Sequence, residues 1–501
     1  MGFNLATMLR ESATEQPEAP LLHFGARTFD YREVDALSGR VAAGLRAAGL
    51  RPGDKVAVQL PNVPEFVFAY FGILKAGMVM VPLNPLLTAR EIAYHLADSE
   101  AELLVTFEPF AEEAVRAAGS EVPVHAVHQG AEPPEGTKSF EQLCADEGTG
   151  EIAAVDAGDT AVLLYTSGTT GQPKGAELTH FELFMACTVG GERFGVSRED
   201  VSVVVLPLFH VFGLVTVLGP VIRFGASAVL LPKFDAGAVL DAVEAHRCTI
   251  FSGVPTMYFA LLGQELDGRD LSSLRAGISG GAAMPEEVLR EFERKVPNIV
   301  VLEGYGLSET AAVATFNFSA EERKVGSIGR PLWGVEVKIF DDDDVELPPG
   351  RERIGEIVIR GHNTMKGYYR RPEATEEAFR NGWFHTGDLG YRDEEGYFFV
   401  VDRKKDLIIR SGYNVYPREV EEVLYAHPAV QEAAVIGRAD PRLGEEVVAV
   451  VALQDGTAPD TEELLAFARE RLAGYKCPRE VRVLDELPKG PSGKILKKSL
   501  R

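Results

Sequence analysis

A stretch rich in hydroxyl groups and glycines, Tyr165–Gly175, is the first place where residue types and spacing could do chemistry. It reads YTSGTTGQPKG and follows an apolar run, Ala161–Leu164, which is typical of the end of a buried strand. Glycines in such a position let the backbone approach a ligand closely and point its amides into a concave nest. The hydroxyls of the stretch and the ammonium of Lys174 suit polyphosphate oxygens. The sequence therefore predicts a phosphate-binding loop at the carboxyl edge of a sheet.

Two other interpretations of this stretch fit the residues less well. The P-loop pattern G-x-x-x-x-G-K-[ST] needs Ser or Thr after the lysine, whereas Gly175 follows Lys174. A flexible linker does not ordinarily lie between two apolar strand candidates, which are Ala161–Leu164 and Val201–Leu206 here. The stretch instead resembles the phosphate loop of the adenylate-forming superfamily, which includes acyl-CoA synthetases, aryl-CoA ligases, peptide-synthetase adenylation domains and firefly luciferase.

Five further segments resemble other motifs of that superfamily, occur in the same order as in the superfamily, and extend over nearly the whole chain. They are Gly277–Pro285 (GISGGAAMP), Glu303–Thr310 (EGYGLSET), Trp383–Leu389 (WFHTGDL), Asp402–Pro417 (DRKKDLIIRSGYNVYP) and Pro488–Ile495 (PKGPSGKI). The resemblance implies an ATP-dependent acyl-CoA synthetase. Such an enzyme converts a carboxylic acid and ATP to acyl-AMP and pyrophosphate with Mg²⁺, and then transfers the acyl group to CoA.

The resemblance also implies roles in nucleotide binding. Tyr305 would stack on adenine, Asp388 would accept both ribose hydroxyls, and Arg403 would reach the ribose or a phosphate. Glu309 would support the metal, since a carboxylate is the hard oxygen ligand that Mg²⁺ prefers. The nucleotide site so predicted comprises Thr166, Ser167, Gly168, Thr169, Thr170, Gly171, Lys174, Gly280, Gly281, Ala282, Tyr305, Gly306, Glu309, Asp388, Arg403 and Lys494.

Lys494 lies in a loop that resembles the catalytic-lysine loop of the superfamily. There the ammonium bridges the carboxylate and the α-phosphate and stabilises the developing charge. The thioester step needs the thiol of CoA where the lysine stood, so the small domain rotates about a hinge, which corresponds to Lys405 here. Many members carry an aspartate at that position. Gly412 would line the pantetheine tunnel, and the predicted catalytic residues are Lys494, Glu309, His210 and Thr166.

The acyl pocket is predicted by resemblance to the aryl and fatty-acyl ligases. His210, in PLFHVFGL, would position the acyl carboxylate without transferring a proton, and a hydrogen-bonded core histidine is the alternative. All the pocket residues except His210 and Thr216 are apolar or small, which predicts an apolar acyl group with little polar recognition. Gly281 and Gly304 are expected to leave depth. The predicted pocket consists of His210, Phe212, Thr216, Ile278, Gly281, Gly304, Ala312 and Val313.

These residues also bear on which acid the enzyme activates. An α-amino acid is disfavoured, because Val201–Ile222 contains no acidic residue to pair with its ammonium. Glu303 before GYG is more similar to fatty-acyl than to aryl ligases, so we predict a medium- or long-chain fatty acid. The alternatives are a 4-coumarate- or benzoate-type aryl acid, and a stand-alone adenylating enzyme that loads a carrier protein.

The elements that position these residues read as an α/β fold. Strands alternate with helices through the first third, and a second layer of the same kind runs from Ala161 to Val301. Residues from Gly326 to Val401 are strand-rich, with hairpin signals at Asp341–Asp344 and Asp393–Gly396. We predict an N-terminal AMP-binding domain of layered α/β subdomains plus a β-rich subdomain, residues 1–401, and a small mobile α+β domain, residues 402–501.

The amino-acid composition limits which kinds of binding partner are expected. The 501 residues carry a formal net charge of −24, which disfavours nucleic acid and anionic membrane surfaces. The four cysteines are far apart, so neither a zinc site nor a disulfide framework is indicated, and reduced thiols fit a cytoplasmic enzyme. Pro and Gly interrupt the apolar stretch Val201–Ile222, which predicts a strand, a turn and a buried helix and no membrane span. Transient contact with a membrane and assembly into a homodimer are both compatible with the sequence.

Overall fold

The computed structural model describes residues 2–148, 150–166, 172–411, 413–440, 442–454, 456–490 and 493–501. Its α-helices are α1 Thr7–Glu15, α2 Tyr31–Ala47, α3 Pro64–Lys75, α4 Ala89–Ser99, α5 Ala111–Ala118, α6 His180–Phe194, α7 Gly219–Phe224, α8 Ala236–His246, α9 Pro255–Leu262, α10 Glu286–Lys295, α11 Pro372–Ala378, α12 Pro417–Tyr425 and α13 Thr461–Arg471. A π-helix, Phe212–Leu218, directly precedes α7.

The strands, in chain order, are β1 Pro20–Phe24, β2 Arg27–Asp30, β3 Lys55–Gln59, β4 Val79–Pro82, β5 Ala101–Phe107, β6 Val124–Val127, β7 Lys138–Ser139, β8 Thr160–Thr166, β9 Lys174–Thr179, β10 Val201–Val204, β11 Ser227–Leu230, β12 Ile250–Gly253, β13 Ala276–Ser279, β14 Val300–Tyr305, β15 Thr315–Phe316, β16 Arg330–Pro331, β17 Val335–Phe340, β18 Gly355–Gly361, β19 Gly367–Tyr368, β20 Phe379–Arg380, β21 Trp383–Arg392, β22 Phe398–Arg403, β23 Ile408–Arg410, β24 Tyr413–Val415, β25 Val430–Asp440, β26 Gly444–Leu453 and β27 Glu480–Val483.

Two large sheets with parallel central strands form the N-terminal domain. The eight-stranded sheet has the order β19-β9-β8-β4-β3-β5-β6-β7, and the nine-stranded sheet has the order β16-β15-β14-β13-β12-β10-β11-β1-β2. Short apolar strands of this kind, buried on both faces, are typical of parallel sheets covered by helices. One continuous hydrophobic core reaches from the first sheet to the second. The predicted layered α/β architecture is confirmed.

The allocation of strands to the two layers differs from the prediction. β8 and β9 belong to the first sheet, because β8 pairs in parallel with β4 through Met80 and Val162. β1 and β2 belong to the second sheet, where β1 pairs with β11 through Leu22 and Ala228. Both pairings join residues far apart in sequence, so local periodicity could not predict them.

The β-rich part, predicted for Gly326–Val401, is a sheet of order β17-β18-β21-β20 in which β22 pairs with β21. Asp393–Gly396 forms the turn between β21 and β22, as predicted. Asp341–Asp344 follows β17 as a turn, with Asp342 paired to Lys404 and Asp344 paired to Arg380. Among the residues that the structure describes, no group of three or more His, Cys, Asp or Glu side chains could hold a metal ion.

The C-terminal domain is a smaller α+β unit with a core of its own. Its sheet has the order β24-β23-β26-β25, with β27 parallel to β26, and α12 and α13 are packed on one face. The opposite face is covered by the end of the chain, where Leu487, Ile495 and Leu500 contact apolar residues of β25 and β26. This packing fixes the loop that carries Lys494.

The apolar stretch Val201–Ile222 forms β10, a turn, the π-helix and the start of α7, as the sequence predicted. Over the described ranges, every helix is too short or too polar to cross a membrane.

Candidate active site

The predicted phosphate loop connects two antiparallel strands at one edge of the first sheet. β8 ends at Thr166 and β9 begins at Lys174, and these two residues are directly opposite each other. The Lys174 ammonium lies 5.1 Å from the centroid of the Tyr368 ring. The loop residues predicted to bind phosphate between them, Ser167, Gly168, Thr169, Thr170 and Gly171, lie outside the described residues.

Glu309 lies beside the end of β8, although the two are far apart in sequence. The Thr166 hydroxyl donates to Glu309 Oε1 at 3.1 Å, and the Tyr368 hydroxyl donates to the same oxygen at 2.9 Å. Tyr368 reaches this point because β19 pairs with β9. Burial, followed by the Glu309 charge, raises the pKa of Tyr368, so it remains a neutral hydrogen-bond donor. The sequence reasoning missed Tyr368, since nothing in the chain around it signals a neighbour of β9.

Asp388 is the centre of the predicted ribose site. It is opposite Arg403 across β21 and β22, and Arg403 Nε lies 3.1 Å from Asp388 Oδ1. The Tyr305 hydroxyl, at the end of β14, donates to Asp388 Oδ2 at 2.6 Å. Burial and then the Asp388 charge raise the pKa of Tyr305, while the Asp388 charge raises the pKa of Arg403. Thr386 shapes the turn, because its hydroxyl donates to the Ile357 carbonyl at 2.7 Å.

The glycines of GISGG and YGL provide close backbone approaches around this site. A Cβ on Gly280 would lie 3.2 Å from the Phe212 ring, and a Cβ on Gly306 would lie 2.2 Å from the Ala312 carbonyl oxygen. Gly281 and Ala282 are exposed, next to buried Gly280. Side chains at Gly280 and Gly306 would therefore displace other parts of the site.

Lys494 extends from the C-terminal domain into this region of the N-terminal domain. A Cβ on Gly281 would lie 2.8 Å from Lys494 Cε, so the lysine covers that glycine. The loop is anchored beside it, because the Thr256 hydroxyl donates to the Gly493 carbonyl at 3.1 Å. Burial, and then the positive charge of Arg403, lower the pKa of Lys494 to about 8, and the Asp388 carboxylate partly opposes this. Arg403, Asp388 and Lys494 thus form one electrostatic cluster.

His210 lies two residues before the π-helix, close enough to Lys494 for the charge of the lysine to act on it. Its Nδ1 accepts the Phe212 backbone N–H at 3.2 Å. Burial, and then the Lys494 charge, lower the pKa of His210 to about 3. An imidazole with that pKa is neutral at physiological pH and a weak base, which agrees with a positioning role and not with proton transfer.

A cavity lies between the π-helix and the face of the second sheet. Of the residues predicted for the acyl pocket, Thr216 and Ile278 line this cavity. Its lining does not include the other six, which are His210, Phe212, Gly281, Gly304, Ala312 and Val313. The sequence reasoning missed the other eight lining residues, two of which carry hydroxyl groups, Ser202 and Ser252. The lining residues given by the described structure are Phe194, Val196, Ser202, Thr216, Val217, Pro220, Val221, Ile250, Ser252 and Ile278.

Gly281 and Gly304 do not leave the depth that the sequence predicted. Lys494 fills the space above Gly281, and a Cβ on Gly304 would lie 2.6 Å from Phe316 Cδ2. Phe316 in turn packs edge-on against Phe194, with ring centroids 5.8 Å apart. Both glycines are therefore places where another side chain approaches closely. Which neighbour a side chain at either glycine would meet depends on tertiary packing, and the sequence motifs carry no information about that packing.

The predicted hinge lies where the chain passes from one sheet to another. β22 ends at Arg403 in the β-rich sheet and β23 begins at Ile408 in the C-terminal sheet, with Lys405 exposed in the turn between them. The turn is held on the N-terminal side by the Lys404 N–H, which donates to the Gly387 carbonyl at 2.8 Å. Gly412, predicted to line the CoA tunnel, lies outside the described residues.

Comparisons with known proteins show which family the chain belongs to. Residues 9–369 match the AMP-binding enzyme family, and residues 419–494 match the AMP-binding enzyme C-terminal domain. A long-chain-fatty-acid–CoA ligase of Bacillus subtilis is 39% identical over 99% of this chain and 94% of its own length. A feruloyl-CoA synthase of an Amycolatopsis species is 41% identical over 98% of this chain and 96% of its own. The ATP-bound structure of MatB from Rhodopseudomonas palustris superposes with a TM-score of 0.92 at 36% identity, covering 100% of this chain and 98% of that one.

Proposed function

The chain belongs to the AMP-binding enzyme family of AMP-forming acid–thiol ligases, and we propose that its adenylation site consists of the cluster of Arg403, Asp388 and Lys494 together with Glu309. In the first half-reaction the acid carboxylate attacks the α-phosphorus of ATP and releases pyrophosphate. In the second, the CoA thiol attacks the acyl-adenylate and AMP leaves. The observation that supports the site is the position of Lys494, which comes from the C-terminal domain yet lies beside Gly281, Asp388 and Arg403 of the N-terminal one.

The residues in and around this site have distinct roles in the proposal. The Asp388 carboxylate binds the ribose hydroxyls, and Tyr305, held by its hydrogen bond to Asp388, offers its ring to adenine. Lys494 holds the carboxylate and the α-phosphate together and stabilises the charge that develops between them. His210, neutral and packed beside Lys494, orients the acyl carboxylate.

Mg²⁺ fits the residues around Glu309. Mg²⁺ is commonly bound by one or two carboxylates together with substrate phosphates, and it does not need an all-protein cage. Glu309 supplies one carboxylate, and both of its described hydroxyl donors bind Oε1. We propose that Glu309 binds the ion with the ATP phosphates, and that Thr166 and Lys174 contact those phosphates. The ion would supply charge neutralisation on the leaving pyrophosphate.

The acid is proposed to have a mainly apolar body. Apolar side chains form most of the lining of the small cavity behind the π-helix, which the far end of the acid would reach, and none of its described lining residues is charged. Either a fatty acid, as the sequence predicted, or an aryl acid satisfies this condition, and relatives of both kinds match the chain.

The two half-reactions can be measured separately to test this proposal. Pyrophosphate release should require ATP, Mg²⁺ and an acid but not CoA, whereas thioester formation should also require CoA. Alkyl acids of increasing length and aryl acids form the substrate panel. Pyrophosphate release that never leads to a thioester with CoA would indicate a carrier protein as the acceptor instead.

Adenylation should depend on pH through Lys494. Its pKa is lowered to about 8 in the free enzyme, so the ammonium is protonated below pH 8 and is lost as the pH rises. We therefore expect kcat/KM for pyrophosphate release to fall above about pH 8, since kcat/KM reports the free enzyme. Lys494→Arg should move this decline to higher pH, because a guanidinium stays protonated. A profile that is flat to pH 10 would contradict this assignment.

The hinge is proposed to be Lys405, with the two domains meeting near Asp402. Lys405→Pro fixes one backbone torsion, and the Lys405 N–H makes no backbone hydrogen bond with any described residue, so the change breaks none of these bonds. We expect pyrophosphate release to stay within about twofold and conversion of supplied acyl-adenylate to thioester to fall by at least about tenfold. Lys405→Ala is the matched control, since it removes the ammonium and keeps the torsion free. Wild-type rates for both steps in the proline variant would place the pivot elsewhere.

A further inference from the structure

Two buried hydroxyls face the cavity behind the π-helix without a hydrogen-bond partner. Ser252 Oγ and Thr216 Oγ1 are both inaccessible to solvent, and no described residue bonds to either. Ser252 as a whole is only 1% exposed. Buried polar atoms in folded proteins are nearly always paired, so two orphans in one cavity need a physical explanation.

The two hydroxyls come from opposite sides of the cavity. Ser252 is on β12, directly opposite Ile278 on β13, and both side chains line the same face of the sheet. Thr216 is on the π-helix that covers this face. Ser202, on the neighbouring β10, is a third hydroxyl in the lining. The remaining described lining residues have apolar side chains.

The space between them is small. The volume available to the centre of a water molecule is about 10 Å³, which is room for about one water. One water could satisfy both hydroxyls while the acid is absent. A substrate group that displaces such a water loses affinity unless it makes the same hydrogen bonds. An alkyl end would leave both hydroxyls unpaired.

We propose that Ser252 and Thr216 recognise a neutral hydroxyl group at the end of the acid far from the carboxylate, and that the substrate is a phenolic aryl acid. This inference rests on the proposed function and chooses between the substrate classes that it leaves open. A second carboxylate or an ammonium is disfavoured at this end, because none of the described side chains that line the cavity is charged and could pair with it.

The position of Thr216 on the helix also bears on the size of the acid. Thr216 follows His210, which is proposed to hold the carboxylate, by six residues. Six residues rise about 9 Å along the axis of a regular α-helix. A compact acid with one aromatic ring suits such a span, whereas a long extended chain would have to pass beyond the hydroxyls.

The test compares acids that differ only in the distal hydroxyl. With wild type, kcat/KM for 4-hydroxycinnamate should exceed that for cinnamate by at least about tenfold, because a site built for a hydroxyl rejects the analogue that lacks it. Ser252→Ala and Thr216→Val each remove one hydroxyl, and Thr216→Val keeps the shape of the side chain. Each should lower kcat/KM for 4-hydroxycinnamate by about tenfold and change that for cinnamate little. Octanoate serves as the alkyl comparison.

Ser99→Ala is the matched control. Ser99 is equally buried, but its hydroxyl donates to the His95 carbonyl at 2.6 Å in α4, far from the cavity. It should leave the ratio between the two acids unchanged. A thermal melt checks that each variant folds, and either cavity variant alone is sufficient for the test.

Two results would overturn the inference while leaving the proposed function intact. One is a wild-type ratio near one between the two cinnamates, and the other is a preference for octanoate over both. If both cavity variants keep the wild-type ratio of kcat/KM between 4-hydroxycinnamate and cinnamate, other residues recognise the hydroxyl, and the inference is overturned as well. Failure of the proposed function is a different outcome, because then no acid in the panel would give pyrophosphate release and a thioester.

Discussion

Lys494→Ala should lower the rate of acyl-adenylate formation by about 10²–10³-fold, the loss typical of removing one key electrostatic donor. The reason is the position of the ammonium, which is buried next to Gly281 in the same cluster as Asp388 and Arg403. No other described lysine is placed there. Pyrophosphate release with saturating acid and ATP measures this step.

The same variant should retain most of the second half-reaction. If the C-terminal domain rotates before thioester formation, Lys494 has left the site by then, and conversion of supplied acyl-adenylate and CoA should stay within a fewfold of wild type. Lys498→Ala is the matched control, since Lys498 is an exposed lysine on the same chain end. Equal losses in both half-reactions would contradict the two-conformation mechanism.

Gly304→Trp should abolish activity on large acids, with the greatest loss on the best wild-type substrate, and spare small ones such as butyrate. A Cβ at this position already lies 2.6 Å from Phe316 Cδ2, so an indole must push the Phe316 ring toward Phe194, which lines the acyl cavity. Dense interiors cannot absorb such a side chain without displacing what occupied the space. The measurement is kcat/KM across acids of increasing size.

Overpacking also carries a stability cost, typically about 1–3 kcal/mol, which a thermal melt can separate from the change in specificity. Gly304→Ala provides a graded intermediate, and Gly158→Trp is the matched control, because no atom lies within 4 Å of a Cβ at Gly158. A uniform loss on butyrate and larger acids alike would show that Gly304 does not limit acyl size.

The sequence alone indicated most residues of the proposed nucleotide site. Asp388, Glu309 and Lys494 lie in short motifs whose residue types and order carry the chemistry, and the structure brings Asp388 and Lys494 into one cluster and Glu309 beside Thr166. The bounds of helices such as α3 and strands such as β4 also follow the local apolar periodicity closely. These features depend on neighbours in the chain, which is why one sequence could indicate them.

The features that the sequence did not reveal depend on pairing between distant segments. Tyr368 becomes a partner of Glu309 only because β19 pairs with β9, and Ser252 faces the acyl cavity only because of its register opposite Ile278. The Cβ direction at Gly304, which points to Phe316 and not into open space, is fixed in the same way. A shift of one residue in strand register would turn each side chain to the other face of its sheet, and that register is set by the whole tertiary structure. The motifs therefore indicated which chemistry the protein carries out, and the packing of remote strands decided which side chains line the proposed acyl cavity.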